Sequence, residues 1–169
     1  YEDAEGNQAY IKTPKSDLHA QNEVLASALY RLLDVPAAEM YLASFDDGKI
    51  KTYSPMIPDA KSDLKTKLKD PEYLKKLQDG FAVDAWLANW DVAGLVFDNV
   101  VTDENGNPVR VDPGGALLFR AMGAPKGKAF GDKVTELDTL RDPKMNPQSA
   151  SIFGSMTDEQ QKESARKLL

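Results

Sequence analysis

Cysteine is absent from this chain of 169 residues, and histidine occurs once, at His19. Without cysteine there are no disulfides and no thiolate metal sites, and the compartment is left open. A single histidine argues against a histidine-based zinc site and a Ser-His-Asp triad. No apolar run approaches the length of a membrane span, and the charged, apolar and small-residue order of a secretory signal is missing. The chain starts at YEDAEG without an initiator methionine, which reads as a piece of a longer polypeptide. Basic residues are outnumbered 27 to 21, for a net charge of −6. That balance argues against a general nucleic-acid binder, because phosphate contacts need clustered Lys and Arg. No internal repeat and no low-complexity tract is present. What remains is an apolar share of 41%, enough to bury a core. The length suits one domain, or two small lobes sharing a cleft. Strong chemistry in such a chain must use carboxylates, amides, lysine and a hard metal.

The order of elements follows from pattern and punctuation. The start reads as a hairpin turning at Glu5-Gly6-Asn7 into the strand QAYIKTP. Ser16 or Asp17 caps a helix running to about Leu33, with Leu25, Ala28, Leu29, Leu32 and Leu33 as its main apolar stripe. Glu23 lies away from that stripe, beside Ala26, Ser27 and Tyr30, which predicts a helix covered on two sides. EMYLASF and KIKTYSPMI are two strands joined at Asp46-Asp47-Gly48. Pro55 and Pro58 break the pattern, so residues 55–61 read as a connector. Asp70-Pro71 starts a helix. Phe81, Val83, Trp86, Leu87 and Trp90 suggest a second buried helix, with both tryptophans in the core. A hairpin turns at Asn105-Gly106, residues 119–145 read as a long functional loop, and Thr157-Asp-Glu-Gln160 is a capping box. The fold class is α+β, with a β-rich half before the connector and a mostly helical half after it.

Residues 89–115, NWDVAGLVFDNVVTDENGNPVRVDPGG, place Asp91, Asp98, Asn99 and Asp112 around a short hairpin. Taken singly, Lys12 is a solvated strand lysine, Glu23 an exposed helix glutamate, and Asp98-Asn99 and Asp112-Pro113-Gly114 ordinary turns. DENGN misses the calcium-loop spacing and reads as a plain turn. Arg120, Lys126 and Lys128 read as solvated loop charges, or as contacts to an acidic substrate. His19 reads as a surface helix residue. What raises the carboxylates above decoration is their coincidence at the two ends of one hairpin.

Four segments, in order, carry a likeness: AYIKTP with Lys12, HAQNEVLASALYRLL with Glu23, NWDVAGLVFDN with Asp91 and Asn99, and VRVDPGG with Asp112. Together they resemble the protein-kinase-like superfamily, and most of all its divergent branch of HipA-like, phosphatidylinositol-kinase-like and actin-fragmin-kinase-like proteins. The resemblance covers nearly the whole chain. It implies a two-lobed fold, with a small lobe at 1–54, a hinge connector at 55–61 and a large lobe at 62–169. It implies ATP and magnesium as cofactors and transfer of the γ-phosphate to a hydroxyl-bearing acceptor, with protein, lipid and small molecule all open. By the same likeness, Lys12 meets the phosphates and is positioned by Glu23. Asn99 and Asp112 hold the metal, and Asp91 is the catalytic base. Met56 and Ile57 supply backbone N–H donors to the adenine, which the prolines cannot do. A cytoplasmic setting is expected, in a bacterium or after delivery to a host cytosol.

The chain also departs from the pattern. Protein kinases carry four residues between the catalytic aspartate and the asparagine, whereas seven separate Asp91 from Asn99. That amounts to an insertion such as Gly94-Leu95-Val96 and makes Asp98 a substitute metal ligand. Trp90 stands where protein kinases have arginine, DPGG replaces DFG, and no glycine-rich phosphate loop is visible. These departures keep two other readings open. One is a catalytically inactive pseudokinase acting as an interaction module. The other is a metal-dependent hydrolase built on an Asp91, Asp98 and Asp112 cluster.

Overall fold

The computed structural model of the chain describes residues 1–2 and 6–169. Glu5 of the expected first turn lies outside the described residues; Gly6, beside it, has φ of +84°. A three-stranded antiparallel sheet comes first, built from β1 (Ala9–Lys12), β2 (Tyr41–Ser44) and β3 (Ile50–Pro55) in the order β1-β3-β2. Lys12 pairs with Thr52 across β1 and β3, and Tyr10 with Ser54, so these four share one face. Gly48, at φ +71°, closes the β2–β3 turn as its sequence predicts.

Between β1 and β2 runs α1 (Asp17–Leu32), N-capped by the Ser16 hydroxyl, which accepts from the His19 N–H. Its buried face is His19, Ala20, Asn22, Glu23, Ala26, Ser27 and Tyr30. Only part of the leucine stripe packs: Leu29 and Leu33 lie half-buried against Tyr30, Val83 and Leu87. Leu25 is 53% exposed and Leu32 77% exposed. The reason is that the polar residues of the other face have partners. Asn22 donates to the Ala116 carbonyl, the Ser27 hydroxyl to that of Ala38, and the Tyr30 hydroxyl to Asp84. Burial of a polar group is cheap only when such a bond replaces water.

The remainder is mostly helical. Helices α2 (Leu64–Lys67), α3 (Pro71–Gln78) and α4 (Phe81–Trp86) precede a hairpin of β4 (Val100–Thr102) and β5 (Pro108–Arg110). Asp70 caps α3 by accepting from the N–H groups of Glu72 and Tyr73, with Pro71 at the first helical position. The hairpin turn is fixed by Gly106, at φ +76°, and by Asp103, whose Oδ1 accepts from the N–H groups of Asn105 and Asn107. Short helices α5 (Glu136–Thr139) and α6 (Pro147–Phe153) and the capped α7 (Asp158–Ala165) complete the chain. Phe81, Leu77, Leu140, Ile152 and Phe153 form one buried cluster, and Tyr30, Val83 and Leu87 anchor another between α1 and α4. Trp86 is not core: α4 ends there, and its ring is 46% exposed. Among the described residues, no helix is long and apolar enough to cross a membrane.

Candidate functional site

Three charged side chains from separate segments meet where β1, α1 and the chain after β5 converge. Lys12 Nζ lies 2.8 Å from Glu23 Oε1 and 3.0 and 3.1 Å from the two oxygens of Asp112. Burial alone would lower the Lys12 pKa, but Asp112 and Glu23 together outweigh it and hold the pKa above its ordinary value. Burial raises the Glu23 carboxyl, and Lys12 opposes that rise only in part. Glu23 is fully buried, and neither oxygen accepts a well-directed hydrogen bond, so its contact with Lys12 is essentially ionic.

His19, four residues before Glu23, belongs to the same assembly and is only 2% exposed, not a surface residue. Its Nε2 lies 3.1 Å from the Gly114 carbonyl and 3.5 Å from Glu23 Oε1, and its ring stacks at a tilt on Phe119. Both Nε2 neighbours are acceptors, so Nε2 carries the proton. The spacing to Glu23 was the available signal, since positions i and i+4 share a helical face.

Asp112 is held by its own loop, with Oδ1 accepting from the Gly114 N–H at 3.0 Å. A Cβ on Gly114 would lie 2.7 Å from Glu23 Oε1, 3.0 Å from Asp112 Oδ1 and 3.2 Å from Lys12 Nζ. The glycine is what lets three charges converge on backbone. Gly114→Ala should therefore cost about 1–3 kcal/mol, as overpacking does. Urea denaturation checks this, and wild-type stability in the variant would contradict it.

Asp91 and Asn99 lie in the irregular segment between α4 and β4. Asn99 Nδ2 donates to the Asp91 carbonyl at 2.7 Å and to Asp91 Oδ2 at 3.1 Å, and Asn99 Oδ1 has no protein partner among the described residues. The Asp91 pKa is raised, chiefly by burial and further by Asp112 and Asp98; the Asn99 bond opposes the rise. Asp98 is exposed at the edge of the same space. The segment is anchored from behind. Asp91 N–H donates to Asn89 Oδ1, and Asn89 Nδ2 donates to the Tyr30 hydroxyl. That hydroxyl in turn donates to Asp84, which pairs with Arg110 through its Nε and Nη2. Asp84 and Arg110 are both buried, and sequence alone did not single them out.

A cavity of about 330 Å³ opens beside these groups, lined by Lys12, Thr52, Ser54, Met56, Ile57, Asp98, Asn99 and Asp112 among others. At its rim the structure departs from expectation. The Met56 N–H is spent on the Gln8 carbonyl at 3.0 Å, because the chain end of β3 still pairs with the N-terminal segment. Of the two N–H donors expected for a base, that of Ile57 has no protein partner among the described residues. Lys126, read from sequence as a solvated loop charge, is instead buried at 8% exposure.

The donor chemistry fits magnesium. The Asp112 carboxylate, here bonded to Lys12, and Asn99 Oδ1 are hard oxygen donors, and magnesium usually binds one or two carboxylates and keeps the remaining positions for water and substrate phosphates. No group of three His, Cys, Asp or Glu side chains that could hold a metal exists among the described residues. The hydrolase reading places such a group at Asp91, Asp98 and Asp112.

No protein-family model matches the chain, and no curated protein matches it in sequence. Its fold, however, is similar to that of a proinflammatory kinase, CtkA, from Helicobacter pylori. The TM-score is 0.55 at 15% sequence identity, over 96% of this chain and 82% of that one. The fold is kinase-like.

Proposed function

We propose that the chain is an ATP- and magnesium-dependent phosphotransferase that moves the γ-phosphate to a hydroxyl acceptor. In this reading the fold is two-lobed, akin to the HipA-like branch, with the connector at 55–61 between lobes. The observation that carries it is Lys12 held between Glu23 and Asp112 beside the cavity, three charges brought together from positions far apart in the chain. Bound ATP with magnesium supplies the transferable phosphoryl group and neutralises its developing charge.

The chain's own residues do the rest. Lys12, now facing Asp112, would turn its ammonium to phosphate oxygens, with Glu23 fixing the stem from behind. Asn99 Oδ1 and Asp112 would hold the metal, with Asp98 at the rim as a further oxygen. Asp91 would accept the acceptor's proton; burial has already raised its basicity. Ile57 N–H would meet the base. The acceptor is a hydroxyl-bearing molecule, protein included.

The second reading is an inactive kinase-like interaction module. The widened Asp91–Asn99 spacing favours it, as does the Asn99 bond that occupies Asp91 Oδ2. The two readings part on Lys12→Ala. A phosphotransferase should lose most of its ATP affinity or turnover; the melting temperature should fall as well, because the substitution leaves the buried Glu23 carboxyl without its cation, so both are measured well below it. Isothermal calorimetry and a transfer assay on one preparation check this. Equal activity with alanine at position 12 would remove Lys12 from the site.

A further inference from the structure

Lys126 is a buried cation outside the constellation above. Its Nζ donates to the Ala88 carbonyl at 2.5 Å and to the Gly115 carbonyl at 2.8 Å. Both acceptors bear on Asp91. Ala88 sits at φ +51°, a left-handed conformation that a non-glycine residue holds only when its surroundings enforce it, and it opens the turn leading through Asn89 and Trp90 to Asp91. Gly115 packs directly on Asp91: a Cβ placed there would lie 3.1 Å from the Asp91 Cβ and 3.5 Å from the Ala121 N–H. The segment that carries Lys126 is folded back on itself, with Lys126 N–H donating to the Leu118 carbonyl and Arg120 N–H to that of Ala124. One ammonium therefore joins three pieces of chain: the turn before Asp91, the glycines after Asp112, and the loop 118–126.

We propose that Lys126 is a positioning residue for Asp91, a charged clamp that holds the turn before Asp91 and the Gly115 backbone in one arrangement while docking the loop 118–126 against them. The inference rests on the proposed phosphotransfer for its kinetic consequence and on geometry alone for the clamp. A charged donor suits these two backbone carbonyls, of which that of Ala88 also accepts from the Trp90 N–H at 3.0 Å, since charge-assisted hydrogen bonds are roughly twice as strong as neutral ones.

The clamp is also titratable. Burial brings the Lys126 pKa down from 10.5 to about 8; Arg120 adds to the drop and Glu136 opposes it. The Phe130 ring centroid lies 6.0 Å from Nζ. Because the pKa is lowered, the charge is full below about 8 and is lost as pH rises through that value. The clamp thus weakens on the alkaline side, where an ordinary lysine would still be charged.

The test follows phosphoryl transfer and tryptophan emission between about pH 7 and 9.5 for the wild type, Lys126→Met and Lys126→Arg. Trp90 lies inside the clamped turn, beside Asp91, so in proteins that all carry Trp86→Phe the remaining emission reports the arrangement without any catalysis. In the wild type, kcat should fall and emission should shift with a common midpoint near 8, while KM for ATP stays constant. Lys126→Met should lose about 10²-fold in kcat at neutral pH, the scale of a small misplacement of a catalytic group, and show no emission transition. Lys126→Arg keeps its charge throughout and should show neither the alkaline fall nor the transition. A wild-type emission flat through pH 8, or wild-type kcat in Lys126→Met, would overturn the proposal. If the wild type transfers no phosphate, the functional reading fails by itself. The emission titration still decides the clamp: a transition lost in Lys126→Met supports it, and none overturns it.

Discussion

Arg110→Ala should destabilise the protein by about 3–5 kcal/mol, the usual cost of removing one partner from a buried ion pair. The guanidinium is 2% exposed and binds Asp84 through two nitrogens, while Asp84 is fully buried and also accepts from the Tyr30 hydroxyl. Truncation leaves the Asp84 charge in the interior with one neutral donor. A loss of that size is a large part of the stability of a typical domain, about 5–15 kcal/mol in all. The effect reaches the site, because Tyr30 also receives the Asn89 amide that in turn accepts from the Asp91 N–H. Asp84→Leu combined with Arg110→Met should recover most of the loss, since apolar replacement of both partners removes the desolvation penalty together with the attraction. Urea denaturation of the two single variants and the double variant checks both statements. A single-variant loss below about 1 kcal/mol would mean that the pair is solvated in solution.

This network shows where sequence reading stops. Tyr30, Asp84 and Arg110 lie on α1, α4 and β5, and nothing periodic links positions so far apart. The turns were legible because the residues that make them act locally: Gly48 and Gly106 with positive φ, the Asp70 and Thr157 caps. The packed face of α1 was legible in part: Glu23, Ala26, Ser27 and Tyr30 read as a covered face and are buried, but hydrophobicity does not show which stripe stays open. Leu25 and Leu32 form the more apolar stripe, yet His19, Asn22, Glu23 and Ser27 are the residues buried against the sheet and the loop after β5. Their partners, the Gly114, Ala116 and Ala38 carbonyls, are backbone groups that leave no trace in a side-chain pattern. Lys126 was opaque for the same reason, since its acceptors are the carbonyls of Ala88 and Gly115. Lys12, Glu23, Asn99 and Asp112 were singled out from motif order, and the fold brings Lys12 to within ion-pair distance of both Glu23 and Asp112.

Asp91→Asn carries the other large effect. Loss of a general base commonly costs about 10²–10⁴ in rate, and asparagine is nearly isosteric, so the fold should be kept. The Asn99 Nδ2 bond to the Asp91 carbonyl is a backbone contact and survives the substitution; only the 3.1 Å bond to Oδ2 changes character. Transfer should therefore collapse while affinity for ATP with magnesium stays near the wild-type value. On the proposed reading the wild type should show an acidic limb in its rate profile above the ordinary aspartate value of 3.8, because burial raises the Asp91 pKa and a base works only when deprotonated. Steady-state kinetics of both proteins across acidic pH check the pair of statements. If ATP affinity falls along with transfer, Asp91 belongs among the metal ligands.

The central claim is that Asp112 and Asn99 hold magnesium against the phosphates of ATP. Calorimetry of ATP binding to the wild type and to Asp112→Ala, each with and without magnesium, tests it most directly. In the wild type, magnesium should tighten ATP binding, with Lys12 released from Asp112 to the phosphates. In Asp112→Ala that magnesium-dependent increment should vanish, leaving only the weaker metal-independent binding through Lys12 and Ile57. An increment of equal size in both proteins, or no ATP binding by the wild type in any condition, would contradict the account.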